Sequence, residues 1–314
     1  MARSPMIARR ILMIFLDGIG LGDDDPALNP FAIASMPTLT VLTNGQRWLR
    51  GIGRQDSARA AFVPTDPRLG VPGRPQSATG QATIITGINV PAAIGEHYGP
   101  RPTEPIRTII AEQSFFRTVL AHGGSASLLE GYPPPWHDAV NRGKRLLASY
   151  QYAAHIAGLP LLTHADVARG DAMSMDWTGE AWRDQLGLSD APVYSPRDAG
   201  RKMVELAQRY TFSFFPHWYT DTLGHRGTID EAVRLLELVD QVMAGALEAW
   251  QDDEGLIVLT SDHGNIEDMS HGKHTENDVP TLIVGAEAAR FADGISTLAD
   301  LVPAMRATLG YANL

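Results

Sequence analysis

The chain has 314 residues, 44% of them hydrophobic and 20% charged, the profile of an ordinary globular protein too long for one small core. It contains no cysteine, which excludes disulfide scaffolds, thiolate zinc sites and cysteine nucleophiles and leaves His, Asp, Glu and hydroxyl oxygens to hold any transition metal. The net charge of −10 argues against a general nucleic-acid binder, but not against a phosphorylated small substrate, because bound cations can supply local positive charge.

Basic residues followed by the apolar run Ile11 to Leu16 give the start the look of a secretory leader. The run is short, stops at Asp17 and has no small-residue cleavage site behind it, so a buried strand is expected. Next comes RPQSATGQATIITGIN (74–89), a Gly/Ser/Thr loop leading into an apolar, helix-like stretch. Residues 98–205 differ in texture: they open on GPRPTEP, contain PPPW at 133–136 and are richer in aromatics and arginine. They are expected to form an inserted cap, with 1–97 and 206–314 forming the core.

After that segment, FSFF (212–215), LIVLT (256–260) and TLIVG (281–285) read as further buried strands. Between the first two, residues 229–250 have helical periodicity, with Val233, Leu236, Val239 and Val242 on one face and Thr228 as N-cap. Continuous apolar strands alternating with such a crossover helix predict an α/β fold with a mainly parallel central sheet. No stretch approaches the roughly 20 apolar residues of a membrane span, and the cytoplasm is the expected location.

Charge sits where the strands end. Asp17 follows the first, in LDGIG; Asp221 and His225 follow FSFF, in HWYTDTLGHRG; Asp262 and His263 follow LIVLT, in TSDHGN. His274 precedes the last strand, in HGKHTENDVP. In open α/β sheets the functional crevice lies beyond the carboxyl ends of the strands. A single Asp after a strand is usually a turn residue or a helix cap, but three such pieces at successive strand ends point to one site. Three Asp and three His suit two borderline divalent ions such as Zn²⁺ or Mn²⁺ better than Mg²⁺ or Ca²⁺. Ser77 and Thr79 both qualify chemically as a hydroxyl nucleophile in the 74–89 loop.

Taken in order, apolar-LDG-x-G, a Ser/Thr loop running into TG, D-x-x-x-GH-x-G, DHGN and HT-x-N-x-VP resemble the alkaline-phosphatase superfamily. The nearest branch is that of cofactor-independent phosphoglycerate mutase and phosphopentomutase. The resemblance spans residues 12 to 280 and implies a three-layer α/β/α sandwich carrying a cap. It implies one ion on Asp221, His225 and His274, and another on Asp17, Asp262, His263 and the Ser77 oxygen. Ser77 takes the nucleophile's place because TIITG then matches the family's following segment, with Thr79 as the alternative. The implied reaction is phosphoryl transfer through a phosphoserine, in a phosphomonoesterase or phosphomutase, with a small phosphorylated metabolite as partner and neither nucleic acid nor membrane.

This chain departs from that branch at several points. The full-length mutases are much longer and carry arginine-rich substrate motifs and a lysine shortly before D-x-x-x-GH. Here the approach reads YTFSFFPHWYTD, with His217 and no lysine. Arg74, Gln81 and Lys273 are near enough in sequence to assist the site. His97, His122, Tyr132, Trp136, His137, Arg142, Lys144, Arg145 and Trp177 are the candidates for contacting a leaving group. Two other readings stand beside phosphomonoester chemistry: a phosphodiester, phosphonate or other ester hydrolase on the same site, and a non-catalytic metal-binding protein.

Overall fold

A computed structural model describes residues 9–311. Residues 1–8, part of the leader-like start, and 312–314 lie outside the described residues. In chain order the strands are β1 (Arg10–Leu16), β2 (Gln55–Asp56), β3 (Ala60–Thr65) and β4 (Ala126–Leu128), then β5 (Gly131–Tyr132), β6 (Leu162–Thr163), β7 (Phe212–His217), β8 (Gly255–Thr260) and β9 (Val279–Val284). Seven of them form one sheet in the order β2-β3-β9-β8-β1-β7-β4, while β5 and β6 pair separately. The four apolar runs of the sequence lie in β1, β7, β8 and β9, the middle of the sheet.

Side-chain alternation along β1 explains the layering. Ile11, Met13 and Phe15 join one core, with Ala78, Ala82 and Ile85 of the helix Ser77–Thr86. Leu12, Ile14 and Leu16 join the other, with Leu236, Val239 and Val242 of the helix Ile229–Ala249. A strand buried on both faces must be apolar throughout, as this one is. Thr228 caps the second helix as expected, and the Glu231 carboxylate accepts from the Thr228 amide at 2.8 Å, closing a capping box. Val233 is only partly buried, at the rim of the same face.

The sheet is mixed rather than mainly parallel. β4, β7, β1 and β8 run parallel, but β8–β9, β9–β3 and β3–β2 are antiparallel pairs. A parallel return needs a crossover, usually a helix laid across one face. Residues 261–278 contain no helix; they stay at the end of the sheet, carrying Asp262 to His274, and β9 therefore comes back antiparallel.

Part of the segment expected as a cap belongs to the core architecture. Residues 126–128 are the sheet's edge strand β4, and the helix Pro196–Ala207 contributes Met203, Val204 and Leu206 to the same core as Ile229–Ala249. Among the described residues no helix is long and apolar enough to cross a membrane.

Candidate functional site

Five segments bring the predicted side chains together at the carboxyl end of the parallel strands. Asp17 leaves β1 and is followed by Gly18 in the left-handed region, φ +71°, where a Cβ would stand 2.7 Å from Oδ1 of Asp221. Only glycine permits that approach. Asp221 and His225 lie one turn apart on the helix Tyr219–Arg226, so both face the same way. Asp262 and His263 leave β8, and His274 arrives from the loop ahead of β9. Ser77 is the first residue of the helix Ser77–Thr86, behind Gln76 at the cap position. Three residues on, Gly80 packs so tightly that a Cβ would lie 2.8 Å from Cβ of Asp262.

Two contiguous ligand clusters result. Asp17, Asp262 and His263 bring ligand atoms within 4.8 Å of one another, as do Asp221, His263 and His274. His263 Nε2 lies 3.0 Å from the Ser77 hydroxyl, 3.4 Å from Asp17 Oδ1 and 3.6 Å from Asp262 Oδ2. Asp221 presents Oδ2 to His225 Nε2 at 3.2 Å and Oδ1 to His274 Nε2 at 3.6 Å. The His263 and His274 rings stack with centroids 3.7 Å apart, which joins the clusters.

Each imidazole turns its other nitrogen to a backbone carbonyl. Nδ1 of His225 faces Gly272 at 2.8 Å, Nδ1 of His274 faces Pro75 at 2.9 Å, and Nδ1 of His263 faces Gly264 at 3.3 Å. Donation there fixes the tautomer and aims Nε2 inward, as metal-ligating histidines require. Burial pushes His263 down to about 3 and also lowers His274, which keeps both rings neutral. His225, more exposed, is held up by its bond to Asp221.

The carboxylates supply the test of fit for cations. Asp17 Oδ1 and Asp262 Oδ2 are buried with no hydrogen-bond partner in the protein. Burial, then the charge of Asp262 and Asp221, holds Asp17 well above the usual carboxylate range, and burial with Asp221 pushes Asp262 up to about 8. Burial acts the same way on Asp221, but hydrogen bonds from His225 and Asn265 and the nearby His263 bring it below its ordinary value. Unpartnered carboxylate oxygens and inward imidazole nitrogens cost free energy when buried together. Divalent cations between them reverse that balance, so the donor set fits divalent metal ions.

Support comes from residues the motifs do not advertise. Gln81 donates to Asp17 Oδ2 at 3.2 Å, and Asn265 donates to Asp221 Oδ1 at 2.6 Å. Sequence reasoning missed Glu267, which is 1% exposed. Its carboxylate accepts from the Gly20 amide at 2.9 Å, the Asn265 amide at 2.7 Å, Asn277 Nδ2 at 3.0 Å and the Thr275 hydroxyl. It ties together the loops that deliver Asp17, His263 and His274. The sequence carries no signal that singles it out, because Asp268 follows it directly and Glu276 and Asp278 lie in the same loop.

Thr79 faces elsewhere. It is fully buried, and its hydroxyl lies 3.1 Å from the Gln76 carbonyl and accepts from the Tyr98 amide at 3.2 Å. A cleft of about 620 Å³ opens over Ser77, Asp17, Gln81 and Asp221. Of the nine leaving-group candidates it is lined by Tyr132, Trp136 and Arg145. His97 sits instead beside Val71 in a neighbouring indentation with Arg74, and His122 stacks on Tyr311. His137 points to the Leu162 carbonyl, Arg142 pairs with Asp138, and Trp177 is buried in a stack on His217. Lys144 and Lys273 are exposed outside the cleft. Glu130, Arg101 and Tyr150 also line it, and sequence reasoning named none of them.

Comparisons with known proteins bear on the family and the fold. Residues 190–312 match the Metalloenzyme superfamily. The chain is 30% identical over 112 residues to the 2,3-bisphosphoglycerate-independent phosphoglycerate mutase of Methylobacillus flagellatus, covering 33% of this chain and 22% of that protein. With the enzyme of the same name from Ruegeria sp. it shares 39% identity over 128 residues, 38% of this chain and 25% of the relative. The matched segment thus spans about a quarter or less of these relatives' length. Among solved structures, the PH0037 protein from Pyrococcus horikoshii aligns with a TM-score of 0.56 at 18% identity over 98% of this chain and 99% of that one. Alkaline phosphatase from the Antarctic bacterium TAB5 aligns at 0.54 and 11% identity over 97% and 99%, a likeness of fold. Residues 190–312 thus resemble metalloenzymes of that superfamily, and the chain as a whole shares the fold of alkaline phosphatase.

Proposed function

We propose that this chain is a metal-dependent phosphoryl-transfer enzyme, a phosphomonoesterase or phosphomutase, acting on a small phosphorylated metabolite through a phosphoserine at Ser77. One observation carries the reading. The Ser77 hydroxyl stands at the start of a buried helix, 3.0 Å from His263 beside the partnerless carboxylate oxygens, on the floor of the cleft. Asp17, Asp262, His263 and Ser77 would hold one divalent ion, and Asp221, His225 and His274 a second, with Mn²⁺ or Zn²⁺ suited to the donors. Such ions, when bound, favour the anionic serine oxygen and neutralise the phosphate.

The chain's own residues would do the rest. Amides of the first turn of Ser77–Thr86 suit a phosphate anion. Ser77 Oγ gives up its proton to solvent and bonds to phosphorus as the ester P–O bond breaks, and the departing oxygen takes a proton from water. Water, or an acceptor hydroxyl in a mutase, then displaces phosphate from Ser77. In this reading residues 98–205 supply specificity, chiefly through the part that lines the cleft, and the setting is cytoplasmic.

The test is phosphate release from a panel of phosphate esters by protein loaded with Mn²⁺ or Zn²⁺, alongside Ser77→Ala and mass spectrometry of the Ser77 peptide. Metal-dependent release or isomerisation, lost in the variant and accompanied by phosphate on Ser77, is the expected result. Full activity in Ser77→Ala would end the reading of the nucleophile.

A further inference from the structure

Glu130 follows β4 at the sheet edge and is 2% exposed, yet it lines the same cleft as Ser77 and Asp17. Its Oε2 makes no hydrogen bond of normal geometry in the protein, and neither does the Tyr132 hydroxyl two residues later, although the two groups and Trp218 are near enough to act on one another. Tyr132 stacks on Trp136 with centroids 4.0 Å apart and planes 18° apart, and Trp182 and Trp218 extend the aromatic lining. Arg145 lies 6.0 Å over the Trp136 ring, and Arg101 borders the cleft nearer the phosphoryl site, where its charge reaches Asp17.

Buried polar atoms without partners are costly and uncommon, and one explanation for them is a ligand that satisfies them. We infer that Glu130, together with Tyr132, is a specificity-determining pair and that the leaving group it reads is an uncharged polyol, a sugar ring. The inference rests on the phosphoryl-transfer reading above and deepens it. Sugar hydroxyls both donate and accept, which matches a carboxyl and a phenol side by side. The apolar C–H face of a ring matches the flat Tyr132–Trp136 stack. Burial pushes the Glu130 carboxyl up to about 8, so at neutral pH it keeps its proton and offers a donor as well as an acceptor.

Two other leaving-group chemistries fit less well. An anionic group such as glycerate would bring a carboxylate against a buried carboxyl and leave the Tyr132 aromatic wall uncovered. A cationic amine would suit Glu130, but only in the field of Arg145, which acts on the same carboxyl. Arg101 and Arg145 suit phosphate oxygens instead.

The decisive experiment measures kcat/KM for glucose 6-phosphate and ribose 5-phosphate against 3-phosphoglycerate, phosphoethanolamine and p-nitrophenyl phosphate. Wild type, Glu130→Leu and Glu130→Gln are compared, all loaded with Mn²⁺. The sugar esters are expected to exceed the glycerate and ethanolamine esters by about tenfold or more, because a site built to hydrogen-bond several ring hydroxyls disfavours a ligand that brings a carboxylate or an ammonium in their place. Glu130→Leu should cut that ratio about tenfold, and Glu130→Gln should restore most of it. A readout independent of turnover is quenching of tryptophan emission in Ser77→Ala protein by the same sugar phosphates, with Kd raised about tenfold when Glu130→Leu is added. If no ester is turned over, p-nitrophenyl phosphate included, the phosphoryl-transfer reading fails and the fluorescence titration still decides this one. Turnover with sugars no better than glycerate, or a ratio untouched by Glu130→Leu, overturns this inference alone.

Discussion

The Ser77 hydroxyl lies 3.0 Å from Nε2 of His263, whereas Thr79, two residues along the same helix, turns its hydroxyl to the Gln76 and Tyr98 backbone. The pair separates two residues that sequence chemistry alone treats as equals. Ser77→Ala is expected to lower turnover by on the order of a thousandfold or more, as loss of a nucleophile does. Thr79→Ala should keep turnover within a few-fold and instead destabilise the fold by about 1–2 kcal/mol, the cost of a buried hydrogen bond left unmade. Steady-state kinetics beside urea denaturation separates the two effects. Equal kinetic losses in both variants would show that the helix, not the hydroxyl, matters.

Stability of the metal-free protein should depend on pH with a definite sign. Asp262 is raised to about 8 and Asp17 is raised well above its ordinary value, so the folded state binds protons that the unfolded chain releases above about pH 4. Their contribution is fully present below the unfolded value and is lost as pH rises towards 8. His263, lowered to about 3, and His217, lowered to about 4 by burial, act oppositely, but only below about pH 6.5, where the unfolded imidazoles protonate. Between pH 6.5 and 8, Glu130, raised to about 8 by burial, and His225, raised by its bond to Asp221, act in the same sense as the two aspartates. Stability after chelation should fall across that window by on the order of 2 kcal/mol. Added Mn²⁺ should remove the part due to Asp17, Asp262 and His225, leaving that of Glu130, and Asp262→Asn should reduce the fall. Thermal denaturation at a series of pH values checks this, and a flat metal-free profile would contradict the proximity of the three carboxylates.

Much of the cluster of carboxylates and imidazoles was legible because strand and site obey separate, local rules. Strands β1, β7 and β8 are buried on both faces and must be apolar, so an Asp or His where each run stops stands out. Strands at or next to the sheet's edges carry no such signal. β3 reads AAFVPT, with small residues and Pro64, and β4 has three residues, so neither was recognised. The direction of β9 was misjudged because strand sequence does not encode orientation; the connection does, and residues 261–278 serve the site instead of forming a crossover helix. Glu130 and Glu267 were invisible for a related reason. Only tertiary packing decides that one acidic residue lines a cleft while another is walled in by four donors.

Helix and β8 terminus meet at a point with no spare volume. A Cβ on Gly80 would lie 2.8 Å from the Asp262 Cβ and 2.9 Å from the Asp262 carbonyl oxygen. Neither atom can swing aside, because Asp262 is itself fully buried. Gly80→Ala should separate Ser77 from Asp262 and His263, costing about 1–3 kcal/mol of stability as overpacking does. Mn²⁺ affinity measured by titration calorimetry should fall by about tenfold or more, in line with losses on disturbing a metal ligand's support. Unchanged affinity would mean that the ligand geometry tolerates displacement of this helix.

Glu267 gives the most demanding test, because it touches none of the predicted ligands yet receives the Gly20 and Asn265 amides, the Thr275 hydroxyl and the Asn277 amide group. The Asp17 loop, the His263 turn and the His274 loop all converge on one carboxylate. Glu267→Gln keeps the shape but replaces one acceptor oxygen with an NH₂ donor, which must then face groups that themselves donate. At least one buried donor is left unmet, at a cost of about 1–3 kcal/mol. Both clusters should loosen together, so the affinities for the first and second Mn²⁺ are expected to drop in parallel. Ser77→Ala, by contrast, should weaken mainly the Asp17–Asp262–His263 cluster. Stepwise calorimetric titration distinguishes the two patterns, and a Glu267→Gln protein that loses stability while binding both ions normally would confine this residue to folding.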